Sequence, residues 1–413
     1  MECTGGWLPL PALPSWLSML VICCVLLLAV ATGIFSQVNR YSTAAILALY
    51  LMSLMALVLF KLRQPFIERK LGFFWLSGAF LTTVYIISYL RNDASLNIVN
   101  IIVPIGAVSF VCVMQMFTIS ALLSSFFIVM SITSILNGFF LVRNLKLTEN
   151  PGVFMNANTS GVFCIISLLL SLLIIVKSRK LLVKYISTSI LVISSVGVLL
   201  SSSRSCIISL AAFSLIYLIW PRIRDSRWMI ISVILLMFSL IFSSTYLYPN
   251  LNSYSWFEKL DAVSTSYTNK SVFSGRDVIW NQIIDLINQR PVLGYGPGVR
   301  PIDFIYQQSE LSAHNLYLQT ALQSGVLGLI ALLLLLVSLV FLCINTGKYD
   351  NFYYKICVSF IFLLMVYQTL EISLTQNNIH VGLLQWFMIG LLLKLAIDYG
   401  EEGSVYLGDG GES

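Results

Sequence analysis

Charge is what this 413-residue chain has least of: 10% of its residues are charged and 58% are apolar. A surface made from that mixture cannot face water on all sides, which excludes a soluble globule. Histidine is nearly as scarce, with two in the whole sequence. The eight cysteines show no metal-ligand spacing, so they read as small apolar residues and no metal site is expected. The long apolar runs lack the alternation of a barrel strand, leaving the α-helix as the spanning element. No basic segment precedes the first apolar run, so a cleaved signal peptide is not expected.

What is present is a series of apolar stretches of the length that crosses a hydrocarbon core. They lie near 16–35, 42–60, 71–90, 97–117, 120–142, 157–176, 181–200, 203–220, 228–246, 316–345, 353–374 and 379–398. The expected fold class is an all-α polytopic membrane protein of about twelve helices with a large loop before helix 10. Lys and Arg concentrate at 61–70, 177–184, 222–227 and 348–355, with Lys394 near the end of the last span; the positive-inside rule puts these in the cytoplasm. Both termini then come out cytoplasmic. The expected parts are nine helices over 1–246, an outside loop over 247–315, three helices over 316–398, and an acidic cytoplasmic tail over 399–413. The net charge of +6 serves topology and is not read as a nucleic-acid footprint.

The outside loop holds the polar chemistry. Ser274 and Asp277 form a capping-box pattern ahead of an amphipathic helix, with Ile279, Ile283, Leu286 and Ile287 on one face and Asp277, Asn281, Asp285 and Asn288 on the other. That helix is expected on the membrane surface or against the bundle, ending before Pro291. Arg276, in its first turn, offers a planar fork to phosphate oxygens; the alternative is a pair with a neighbouring carboxylate. Arg204, in Ser-Ser-Ser-Arg-Ser between two spans, is a candidate site residue by its depth, with snorkelling to headgroups as the alternative. His314, at the mouth of a long span beside Asn315, has the side chain that takes a proton from a hydroxyl near neutral pH. His380 is its rival. Gly325 and Gly328 follow at helical spacing beneath His314; the stripe is expected to admit a polyprenyl chain, or else to pack another helix closely.

These residues resemble the bacterial O-antigen ligase and polysaccharide polymerase superfamily of integral membrane glycosyltransferases. The matching pieces are Ser-Arg at 203–204, Ser-Gly-Arg-Asp-x-x-Trp at 274–280, Pro-x-x-Gly-x-Gly at 291–296, and His-Asn at 314–315 followed by Gly-x-x-Gly at 325–328. The resemblance implies transfer of glycan from an undecaprenyl diphosphate carrier to a sugar hydroxyl, at the periplasmic face of the bacterial inner membrane. It implies Arg204 and Arg276 on the donor diphosphate and His314 as base, with inversion at the anomeric carbon and no cofactor or metal. The implied partners are the carrier-linked oligosaccharide donor, a glycan or glycolipid acceptor, the bilayer, and a chain-length regulator, with no nucleic acid. Asn158 is a candidate substrate contact, although Phe154-Met155-Asn156 lacks the proline frequent in the family. Asn315 and Glu371 are further candidates. The wording of the loop is closer to the polymerases, with ligation to lipid A-core as the alternative. A lipid-linked oligosaccharide flippase is the alternative of another class, which leaves the outside loop unexplained.

Overall fold

A computed structural model describes residues 15–35, 39–63, 69–92, 97–145, 150–223, 226–251, 254–268, 276–304, 312–344, 352–376 and 378–405. Ser274 of the expected capping box lies outside them. The described chain is a helical bundle without a strand, as expected of an all-α, multi-pass membrane protein. Its elements are α1 (Ser15–Ile34), α2 (Asn39–Arg63), α3 (Arg69–Arg91), α4 (Ile98–Met114), α5 (Ile119–Arg143), α6 (Ala157–Lys177), α7 (Leu181–Leu200), α8 (Arg204–Ile223) and α9 (Ser226–Phe242). A π-helical turn, Ser243–Leu247, joins α9 to the short α10 (Tyr248–Asn250). Then come α11 (Ser255–Thr268), α12 (Arg276–Gln289), α13 (Leu316–Ile344), α14 (Phe352–Tyr367) and α15 (Ile379–Val405). Among the described residues seven helices are long and apolar enough to cross a membrane, and five shorter apolar helices occupy the other stretches expected to span.

Bulky apolar side chains face lipid on the outer helices, as Leu182 and Leu218 do, while α14 and α15 are buried along most of their length. This inverts the soluble rule that exposed large apolar patches are exceptional, because the solvent here is hydrocarbon. Polar side chains accordingly turn inward. Trp75 Nε1 donates to Ser109 Oγ at 3.2 Å, and Ser134 Oγ to Ser167 Oγ at 3.0 Å, tying neighbouring helices where no water competes.

Two expected spans are not continuous helices. The first, 316–345, is broken at Gly325, whose φ of 66° and ψ of −163° lie in a region essentially reserved for glycine. The break frees backbone groups that lipid cannot satisfy, and the loop after α12 satisfies them. Tyr295 and Gly296 N–H donate to the carbonyls of Leu322 and Gln323 at 3.0 and 2.8 Å, while Val326 N–H donates to Pro291 O at 2.7 Å. Ser88 Oγ of α3 lies 2.6 Å from Leu293 O and 2.8 Å from Gln323 O, closing the joint. The Pro-x-x-Gly-x-Gly segment therefore works as backbone docked into a cut helix.

The expectation that His314, Gly325 and Gly328 share one face fails for this reason: the helix does not run straight through Gly325. The space over Gly325 is no entry for a prenyl chain either, since a Cβ there would stand 2.3 Å from the backbone of Val292. All residues from Leu316 to Gly325 are buried, whereas Val326 and Leu327 just past the break are exposed.

The second correction concerns 353–374. Helix α14 stops at Tyr367, and 368–376 is irregular and almost wholly buried. Gln368 sustains it: its Oε1 accepts from Ser373 and Leu374 N–H at 3.2 and 3.3 Å, and Trp386 Nε1 donates to Leu374 O at 2.7 Å. Buried irregular backbone needs such partners one by one. Glu371 sits in this segment just past the end of α14, its N–H donating to Tyr367 O at 3.0 Å.

Candidate active site

Four segments far apart in sequence meet at one carboxylate. Glu371 Oε1 pairs with Arg276 Nη2 at 3.2 Å, and its Oε2 lies 3.4 Å from His314 Nδ1. Asn158 Nδ2 donates to Oε1 as well. The carboxylate is 7% exposed, the Arg276 side chain 19% and the His314 side chain 30%. The anion is thus buried while the two groups bonded to it keep an open side.

Local sequence explains each arm. Asn156 caps α6 by accepting from Thr159 N–H at 2.7 Å, which places Asn158 in the first turn. The turn before it is held by Asn150 Nδ2 to Leu141 O at 2.7 Å and by Val153 N–H to Asn137 Oδ1 at 3.0 Å. Ser203 Oγ, just ahead of α8, donates to Asn158 Oδ1 at 2.7 Å, so both ends of that amide are used. Arg204, the first residue of α8, follows directly. Its charge and that of Arg276 both reach the Tyr248 phenol, as do those of Asp261 and Asp277.

Arg276 opens α12, which rests on the bundle through Ile279, Trp280 and Ile283. Of its expected polar face, Asn281, Asp285 and Asn288 are exposed and Asp277 is half-buried. Trp280 is the anchor that apolar periodicity alone did not single out. It is fully buried, stacks near Tyr248 with ring centroids 4.4 Å apart, and donates from Nε1 to Ala313 O at 2.8 Å. That bond ties the helix carrying Arg276 to the residue before His314.

His314 has φ +47°, a left-handed backbone that a non-glycine residue adopts at a cost. Asn315 holds the next position. Its Oδ1 accepts from Leu318 N–H at 3.0 Å as the cap of α13, and its Nδ2 donates to Ser244 Oγ at 2.9 Å. Asn315 is fully buried, so the structure gives it a capping and bracing position. Leu316 N–H donates to Gln368 O at 2.8 Å, joining the His314 turn to the segment that carries Glu371. His380 is elsewhere, beside Gly33 and Phe154 near the start of α15.

The arrangement suits proton transfer. With Nδ1–H directed to Glu371, the imidazole is held in one tautomer and Nε2 remains as an acceptor. Glu371 takes one N–H of Arg276, and a guanidinium carries five.

Residues 189–333 match the family described as O-antigen ligase. That range includes Arg204, Arg276 and His314, and leaves out Asn158 and Glu371. The chain is also 28% identical over 221 residues to the ComP-specific O-oligosaccharyltransferase of Acinetobacter baylyi, a match covering 48% of this chain and 37% of the relative's length. Both findings support the O-antigen ligase superfamily. Two of the three residues bonded to Glu371, Arg276 and His314, therefore lie inside the stretch that carries the family likeness, as does Arg204.

Proposed function

We propose that this protein transfers a glycan from a polyprenyl diphosphate carrier, undecaprenyl diphosphate in a bacterial inner membrane, to a sugar hydroxyl at the periplasmic face. The observation that carries this reading is the convergence of Arg276, His314 and Asn158 on buried Glu371. In the reaction His314 Nε2 takes the proton of the acceptor hydroxyl as its oxygen attacks the anomeric carbon. The bond from that carbon to the diphosphate oxygen breaks, and the electron pair leaves with the diphosphate. Arg204 and the remaining N–H groups of Arg276 meet the charge that develops there. Attack opposite the leaving group inverts the anomeric centre. Glu371 holds the imidazole and offsets its charge once it is protonated.

The acceptor is read as a second carrier-linked repeat unit, which makes the protein a polymerase. The name of the matched family favours ligation of finished polymer instead, and the relative's name favours an oligosaccharide moved as one block. A deletion strain separates these: a polymerase null still attaches a single repeat to its acceptor, whereas long carrier-linked polymer in the null moves the assignment to ligase.

The donor clamp is tested with purified protein and carrier-linked oligosaccharide. Arg276→Ala is expected to lower transfer roughly 10²-fold, the scale of losing one preorganised donor to developing charge. Arg276→Lys should recover only part, because a point charge does not reproduce a planar fork. Arg300→Ala is the control; Arg300 pairs with Asp303 at 3.4 Å on an exposed surface. Equal turnover of the Arg276 and Arg300 alanine variants would sink the clamp.

A further inference from the structure

A second cationic site stands at the far end of α12. Arg91 and Asn92 at the end of α3, with Arg290 and the backbone of 291–294, line a cavity of about 500 Å³. Arg290 is fixed in place: Nη1 donates to Asn92 Oδ1 at 2.8 Å, and its guanidinium lies 4.7 Å from the centroid of the Tyr295 ring. Among the described residues no carboxylate pairs with Arg91 or Arg290. Both arginines end helices, where the dipole favours a cation without any ligand. That effect does not explain why two helices bring their arginines to the same cavity.

The surroundings are those of an amphiphile. Leu90 is 76% exposed and Val292 59%, and Val326, bonded through its N–H to Pro291, is exposed beside them. An anionic head would sit between arginines and its chain would run along this exposed apolar surface. The distance is also informative. Arg276 and Arg290 are fourteen residues apart, about 20 Å along a helix, so the two cationic sites are separated by an interval that a short oligosaccharide bridges.

A polymerase uses two carriers at once. The donor loses its diphosphate, while the acceptor keeps its own, one repeat unit away from the hydroxyl that attacks. We infer that the cavity at Arg91 and Arg290 holds the diphosphate of the acceptor's carrier, with Arg276 and Arg204 on the donor's. The inference rests on the polymerase reading above. It gives the enzyme a means of choosing a carrier-linked repeat over a free glycan, and no bond is made or broken at this second site.

The test uses full-length protein in phosphatidylcholine nanodiscs with a carrier-linked donor. Two acceptors carry the same repeat unit, one on a short prenyl diphosphate and one on an uncharged prenyl ether, and their products differ in mass. Wild type is expected to prefer the diphosphate acceptor at least tenfold in kcat/KM. Arg91→Ala should bring the two near parity through KM, leaving transfer to the ether unchanged; Arg91→Lys should restore part of the preference. Arg91 is the cleaner probe because Arg290→Ala also removes the Tyr295 and Asn92 contacts.

A wild type indifferent to the diphosphate, or an Arg91→Ala variant that keeps the preference, overturns the assignment. If the cavity binds a phospholipid headgroup, Arg91→Ala will lose bound phosphatidylglycerol from mixed nanodiscs with acceptor preference intact, which also overturns it. Wild type inactive on both acceptors is a different failure, that of the transferase reading, and removes the inference with it.

Discussion

His314→Ala is expected to lower glycan transfer by roughly 10²–10⁴-fold, the range general-base catalysis supplies, while leaving carrier-diphosphate binding in place. The retention follows from the division of labour: the donor is assigned to arginines, and the imidazole is set against Glu371. Backbone strain complicates the alanine variant, because position 314 has φ +47° and alanine tolerates that region poorly. His314→Asn is the sharper variant. Asparagine accepts a left-handed backbone more readily than most residues and cannot take a proton, so it should fold as wild type does and still fail to transfer. Glu371→Gln should fall between wild type and His314→Asn, since the amide keeps the shape but not the charge that orients the imidazole. His380→Ala, beside Gly33 and Phe154, should retain most activity. A His314→Asn enzyme with normal turnover, alongside a dead His380→Ala, would transfer the role to His380.

Gly325→Ala is expected to destabilise the protein by upwards of about 3 kcal/mol, to the point of poor yield from membranes. A non-glycine residue in that backbone region costs about 1–3 kcal/mol. The new Cβ would also stand 2.3 Å from the Val292 carbonyl, and backbone cannot yield as a flexible side chain does. Pushing the loop away forfeits the hydrogen bonds that Tyr295, Gly296 and Val326 make across the joint, each worth about 1 kcal/mol net. Gly72→Ala is the control, since nothing lies within 4 Å of a Cβ there and alanine favours a helix. The measurement is thermal unfolding of both variants in the same detergent. A Gly325→Ala protein that melts with wild type would mean the loop does not hold the break.

How much of this was legible beforehand depends on the range of the interaction. Helices and their lipid-facing character follow from local composition, so the apolar stretch 157–176 nearly coincides with α6. The amphipathic face of α12 followed from periodicity in the same way. Arg204 was legible as a charge where apolar sequence makes it costly, Arg276 by its place in the first turn of the amphipathic helix, and His314 as a titratable group at the mouth of a span. The grouping was not. Glu371 is 95 residues from Arg276 and 213 from Asn158, and no local pattern says which cation it will meet. Trp280 was visible only as part of a family motif, because a buried ring's partner lies in another segment. The eleven-residue spacing from His314 to Gly325 implies one face only if the helix is continuous, and the break at Gly325 is held by the distant loop at 291–296. The polar run Gln368, Thr369, Ser373, Thr375 and Gln376 did carry a signal: so many hydrogen-bonding side chains in an apolar span mark backbone that needs them.

The carboxylate at the centre of the site is also the last of the four residues to be synthesised. Asn158, Arg276 and His314 are all made before Glu371, and until it follows them no carboxylate joins all three. A growing chain therefore carries the cation and the imidazole without the group that sets their geometry. The turn that carries His314 lacks one of its anchors while Gln368, which accepts from Leu316 N–H, is still unmade. On the proposed reading, the site is complete only once translation has reached the segment after α14.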